Sequence, residues 1–168
     1  MLNLSADPMS ITIERAVAAT LEARDLIQEL NDVLGAAYEE HQRHGLSIEQ
    51  LFEPHVRFFV ARLDGIAVGC GGVAMFEDYA EVKRMYTRPV ARGRGVAKAL
   101  LRRIEAEAHG AGMSVLRLET GTNQQEAIGL YERMGFRQRG PFGPHAAMPA
   151  RNIETSLFFE KMLGYLKD

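Results

Sequence analysis

The 168-residue chain predicts an α/β (α+β) fold: one domain over residues 1–168, with a central mixed, mostly antiparallel sheet flanked by helices. Three observations carry this. Asp64-Gly65 joins two apolar runs, a strong hairpin signal, and a third run follows a short turn, so residues 56–87 read as an antiparallel meander. Residues 80–120 run strand, amphipathic helix, strand, and a crossover of that kind sets its two strands parallel. Further helical stripes before and after these segments supply layers to cover the sheet.

The elements follow in order. Residues 1–9 read as a loose start. Residues 10–16 alternate and are rich in isoleucine, as a strand requires. Across residues 21–38, Leu26, Leu30, Val33, Leu34 and Ala37 recur at helical spacing. “GLSIEQLF” predicts a short second helix with Ser47 at its N-cap. Strands are expected at 56–63, 66–76 and 80–87. The helix over 94–109 buries Val96, Leu100, Leu101 and Ile104 and stops near Gly110 and Gly112. A strand at 114–120, a helix at 125–134 ended by Gly135, and a short strand at 136–139 come next. A proline-rich loop at 141–151 and a last strand at 155–162 complete the order β-α-α-β-β-β-α-β-α-β-β.

Composition narrows the function. A formal net charge of −2 lacks the basic bias of a nucleic-acid binder. No apolar run reaches the ~18 residues of a membrane-spanning helix, and the N-terminus lacks a signal peptide's basic segment and apolar region. The expectation is a cytoplasmic protein with neither membrane nor nucleic-acid partner. Cys70, the single cysteine, lies in an apolar strand and reads as a buried thiol. No Cys or His spacing suits a metal, and His41 and His44 read as solvated on a polar helix end. The last strand, with Phe158-Phe159, is a candidate homodimer surface.

The chemistry centres on “RPVARGRGVAKALL”, residues 88–101. A helix start leaves several backbone N–H groups without partners. Here the cap positions are Gly93, Arg94 and Gly95, none of which accepts a hydrogen bond through its side chain. That describes either an anion site or a turn filled by water. A Walker loop needs Lys followed by Ser or Thr, and Ala99 follows Lys98; a dinucleotide fingerprint needs a small residue where Lys98 stands. What fits is R-x-x-G-x-A, met by Arg92, Gly95 and Ala97 after “YTRP”. A second segment, “EAIGLYERMGF”, has Ala127, Leu130, Tyr131, Gly135 and Phe136 in an A-x-x-L-Y-x-x-x-G-F pattern.

On these two segments and the element order, the chain resembles the GNAT superfamily of N-acetyltransferases over residues 11–162, the first third in pattern only. A closer likeness is to a bacterial branch carrying E-x-K-x-M, R-G-x-A, L-E-T-G and a late F-G loop, here residues 81–85, the glycine loop, 118–121 and 142–143. The resemblance implies acetyl-coenzyme A as cosubstrate. Its pyrophosphate would be held by Arg92, Gly93, Arg94, Gly95, Val96, Ala97 and Lys98, and its pantetheine arm by the strand backbone at Met85, Tyr86 and Thr87. Asn123 or Gln124 would also touch it. Tyr131 matches the superfamily tyrosine that protonates the leaving thiolate; the alternative is a packing role. Glu81 is either a general base at the cleft or half of a surface pair with Lys83, and by period two it shares a face with Lys83, Met85 and Thr87. The long first helix and the segments 39–50 and 141–152 would wall the acceptor cleft, where Lys83, Arg84, His145 and Arg151 either bind a carboxylate or are plain surface charge. The implied function is acetyl transfer to a primary amine of a small molecule by direct attack. A peptide N-acetyltransferase and a non-catalytic coenzyme A sensor are the alternatives.

Overall fold

The computed structural model describes residues 10–164; the loose start assigned to residues 1–9 lies outside them. β1 (Ile11–Ala16) leads to α1 (Leu21–Ala37), which Thr20 caps by accepting from the Ala23 N–H at 3.2 Å. β2 (Val56–Leu63), β3 (Ile66–Met75) and β4 (Ala80–Thr87) form the expected meander. Then come α2 (Val96–Gly110), β5 (Val115–Gly121), α3 (Gln125–Arg133), β6 (Arg137–Arg139), a one-turn α4 (Ala150–Ile153) and β7 (Ser156–Met162). The strands build one seven-stranded sheet in the order β1-β2-β3-β4-β5-β7-β6, antiparallel except for β4 beside β5. The mixed α/β architecture is as the sequence predicts.

Each face of the sheet has its own core. Leu100, Leu101 and Ile104 of α2 pack with Phe59, Leu116, Leu118, Tyr131 and Phe159 on one side. Leu26, Ile27 and Leu30 of α1 pack with Phe58, Val60, Cys70 and Tyr86 on the other. Each fully buried Leu or Ile contributes about 1.5–3 kcal/mol over an exposed one, so these stripes fix both helices to the sheet.

Three expectations are corrected. “GLSIEQLF” yields only a 3-10 turn at Gln50–Phe52. Ser47 does accept from the Gln50 N–H at 3.2 Å, and Gln50 returns a bond to the Ser47 N–H at 2.9 Å. Glu53, held extended at ψ 153° before Pro54, stops any further turn. The proline-rich loop is partly helical, with a 3-10 segment at Gly143–Ala147 before α4. Phe158 and Phe159 are buried between β5 and β6 instead of lying on a surface, so they provide no dimer face. No helix among the described residues is long and apolar enough to cross a membrane.

Candidate active site

The mouth of α2 has the predicted lack of a side-chain cap. Gly95 takes the N-cap position in the left-handed region at φ 83°, with no side-chain cap hydrogen bond. Gly93 adopts φ 77°. A Cβ on either glycine would meet nothing within 4 Å, so the backbone lies open to an approaching group. Arg92, Arg94 and Lys98 are exposed around it, while Val96 is buried and anchors the turn to the core. Open glycines, helix N–H groups and flanking cations fit a pyrophosphate. Arg88 is not part of this set: it holds Glu29 of α1 at 2.7 Å and donates to the Ala67 carbonyl at 2.7 Å, tying the end of β4 to the sheet.

Behind this mouth the sheet opens. β4 and β5 pair only at Ala80–Leu116 and Glu81–Arg117. Beyond Glu81, the β5-facing edge of β4 runs without a strand partner as far as Thr87. A β-bulge coincides with the opening: Gly72 pairs with Lys83 and Cys70 with Tyr86, so β4 carries one extra residue. Arg84 absorbs it in the left-handed region at φ 57°. The bulge also reverses the strand's parity. Met85 packs with Val82 in the α2-side core, and Tyr86 lies in the α1-side core with its hydroxyl 3.3 Å from Glu29. The expected common face of Glu81, Lys83, Met85 and Thr87 therefore breaks after Lys83.

The gap forms a cleft of about 130 Å³. Met85, Leu118, Glu119, Ala127 and Tyr131 line it, as do Gln124, Glu81, Lys83 and Arg84, and α1 and the following segment close it with Tyr38, Arg43, His44 and Gly45. Glu81 is buried, 2.5 Å from Lys83 Nζ and 3.6 Å from His145 Nε2. Burial would raise its pKa, but the contacts from His145 and Lys83 win and hold it below the usual carboxylate range. Glu81 thus belongs to a buried ion pair, not the surface pair considered above. Glu119 behaves oppositely. It accepts from Ser156 Oγ at 2.9 Å, yet burial pushes its carboxyl above the ordinary range. Burial, with the nearby Glu119 charge, pushes the Tyr131 hydroxyl up as well, so it stays protonated.

The predicted residues divide accordingly. Glu81, Lys83, Arg84, Met85, Gln124 and Tyr131 line one cleft; Asn123 is exposed outside it and gives its backbone N–H to Tyr38 Oη at 2.9 Å. His145 is buried against Glu81, and Arg151 is exposed and outside the lining. His44 is no solvated histidine. Its Nε2 lies 2.7 Å from the Asn152 carbonyl and its ring meets His145 edge-on at 5.4 Å. Sequence reasoning assigned no role to Glu119, Tyr38 or Asn31. The available signal was period two: Glu119 alternates with the buried residues Leu118 and Thr120 and must face the opposite side.

An uncapped, glycine-built helix mouth beside an opened parallel strand pair is the architecture of an acyltransferase. The profile of the acetyltransferase (GNAT) family matches residues 23–136. An IAA acetyltransferase of Azospirillum brasilense is 44% identical over 156 residues, 92% of this chain and 99% of that protein. A crystal structure from Klebsiella pneumoniae, of a candidate acyl-CoA N-acyltransferase, superposes with a TM-score of 0.73 at 33% identity, covering 92% of this chain and 98% of the other. A PaiA N-acetyltransferase from Thermoplasma acidophilum, solved with coenzyme A, shares the fold at 20% identity and a TM-score of 0.71, over 92% and 99% of the two chains. The chain belongs to the GNAT family of acetyltransferases.

Proposed function

We propose that this acetyltransferase moves the acetyl group of acetyl-coenzyme A to a primary amine of a small molecule by direct attack. The observation that carries the reading is the continuity of the site: the open edge of β4 runs through residues 88–95 into the uncapped mouth of α2, and Tyr131 and Glu119 stand in the same gap. The amides of residues 93–98 suit the pyrophosphate and the free backbone of 85–87 suits the pseudo-peptide pantetheine. When bound, acetyl-coenzyme A supplies the activated acetyl thioester. Glu119, whose carboxyl is pushed above the ordinary carboxylate range by burial, receives the proton of the incoming ammonium. Tyr131, kept protonated by burial, holds a proton for the departing sulfur. Glu81, already committed to Lys83, is the weaker base and fixes the cleft floor. A cleft of this size, closed by α1 and the 39–50 segment, supports a compact acceptor over an extended peptide.

The test is thiol release from acetyl-coenzyme A across amino acids, polyamines, aminoglycosides and lysine peptides. Turnover with compact amines is expected. Tight cofactor binding with no turnover on any amine would refute catalysis in favour of a sensor, and a preference for peptides would refute the small acceptor.

A further inference from the structure

Resting on the acyl-transfer reading above, we propose that Arg84, with Asn31 and Arg43 beside it, receives a carboxylate of the acceptor, which makes the substrate an amine that also carries an acid group.

The first observation is an exception. Among the described residues, Arg57, Arg62, Arg84, Arg88, Arg103, Arg117 and Arg139 are the half-buried arginines. Six of them hold a glutamate: Arg57 and Arg103 share Glu107, Arg62 takes Glu14 and Glu22, Arg88 takes Glu29, and Arg117 and Arg139 share Glu160. Arg84 has no carboxylate among the described residues. Its Nη2 donates to the neutral Asn31 Oδ1, and its buried Nε finds no acceptor. A half-buried guanidinium lacking a counter-ion is costly, and a carboxylate entering the cleft would supply one.

The second observation is that the fold goes out of its way to put the guanidinium there. Arg84 and Asp64 are the non-glycine residues described at positive φ, and Asp64 merely turns a hairpin. Strain at a single cleft residue points to use. Gly45 provides the room: a Cβ there would overlap Nη1 of Arg84. The Arg84 carbonyl is also held by Cys70 Sγ at 3.5 Å.

The third observation concerns the neighbours. Lys83 is neutralised by Glu81, and Glu119 bonds Ser156, so neither cleft carboxylate serves Arg84. A second guanidinium, Arg43, lines the same cleft as Arg84. Two like-charged guanidiniums facing one cleft, one fixed by an amide, match the bidentate demand of a carboxylate. The arrangement narrows the four predicted anion-binding residues to Arg84 and adds Arg43 and Asn31.

The experiment has two arms on the full chain. In the first, amino acids are compared with their carboxamides and decarboxylated amines for kcat/KM. In the second, N-acetyl amino acids and their amides are titrated into coenzyme A-loaded protein. The acid should be preferred roughly 10- to 100-fold in both, the range of charge-assisted hydrogen bonds. Arg84→Met should bring the ratio near one without changing acetyl-coenzyme A affinity, and Arg43→Gln should lower it in part. Should Arg84→Met not fold, Gly45→Ala, which displaces the guanidinium, takes its place. Turnover with no acid preference overturns this proposal and leaves the transferase standing. An acid preference in the titration with no turnover on any amine supports the subsite and overturns the catalytic reading. A preference that survives both arginine variants overturns the assignment to Arg84.

Discussion

Glu81→Gln separates a structural ion pair from a catalytic base, and its magnitude follows from the burial of the pair. The Glu81 side chain is 3% exposed and Lys83 12%, with Oε2 and Nζ 2.5 Å apart. Glutamine keeps the shape and one acceptor but leaves the Lys83 ammonium buried without a counter-charge. Removing one partner of a buried pair costs about 3–5 kcal/mol, and the retained acceptor puts this case near the low end, about 3 kcal/mol at pH 7. With a urea slope of about 2 kcal/mol/M, the unfolding midpoint should fall by about 1.5 M. The sign with pH is fixed by the direction of the shift. A carboxyl whose folded pKa lies below its unfolded value stabilises above the unfolded pKa, and that contribution is lost as pH falls through the folded one. The gap between wild type and variant should therefore be full at pH 7 and close as the solution is acidified below the ordinary carboxylate range. The assay is urea unfolding by circular dichroism at several pH values, beside kcat/KM profiles of both proteins. A loss under about 1 kcal/mol at pH 7, or a gap that grows with acid, would refute the buried-pair argument. An acidic limb of the rate profile that disappears in the variant would show instead that Glu81 is the base.

Three other perturbations test the site. Gly95→Ala should cost about 1 kcal/mol of stability, because φ 83° suits glycine although the added Cβ has space; Gly95→Glu should in addition abolish acetyl-coenzyme A binding in calorimetry, and retained affinity would sink the loop assignment. Tyr131→Phe should lower kcat roughly 10- to 1000-fold with little change in the melting temperature, since the ring still packs on Phe136 at 5.7 Å; an unchanged rate would return Tyr131 to packing. Glu119→Gln should remove an acidic limb lying above the ordinary carboxylate range, and should leave the melting temperature at pH 7 unchanged or raised, because a carboxyl with a raised folded pKa loses stability as pH rises past its unfolded value. A variant that keeps the limb removes Glu119 from proton transfer.

Local signals carried most of the fold. The helical stripe of Val96, Leu100, Leu101 and Ile104, the Asp64-Gly65 hairpin and the missing cap at Gly95 are properties of a few neighbouring residues, so they were legible. What escaped depends on which residues meet across the sheet. The bulge at Arg84 needs the register between β3 and β4, and no local pattern in “EVKRMYT” announces it. A period-two count carried past it assigns Met85 to the wrong face. His44 and His145 lie 101 positions apart, and only the packing of the 39–50 segment against residues 141–153 brings their rings together. Glu119 lies in the L-E-T-G segment, and its burial depends on how far β4 and β5 separate, which no local pattern shows.

That separation and the charge in the cleft meet at one residue. Arg84, the extra, left-handed residue of β4, follows shortly after the last parallel pair at Glu81 and Arg117, and Tyr86 beyond it lies on the α1 side. The same residue places a guanidinium among Asn31, Gly45 and the rim arginine. On the β3 side, Gly71 stands where any Cβ would overlap the Met85 thioether, so the glycines of “GCGG” make room for the residue that the bulge turns inward. A side chain at Gly71 would press on Met85 and so on the register that opens the cleft. The bulge therefore stands beside both halves of the proposed site: the unpaired edge of β4 proposed to take the pantetheine arm, and the cation proposed to select the acceptor.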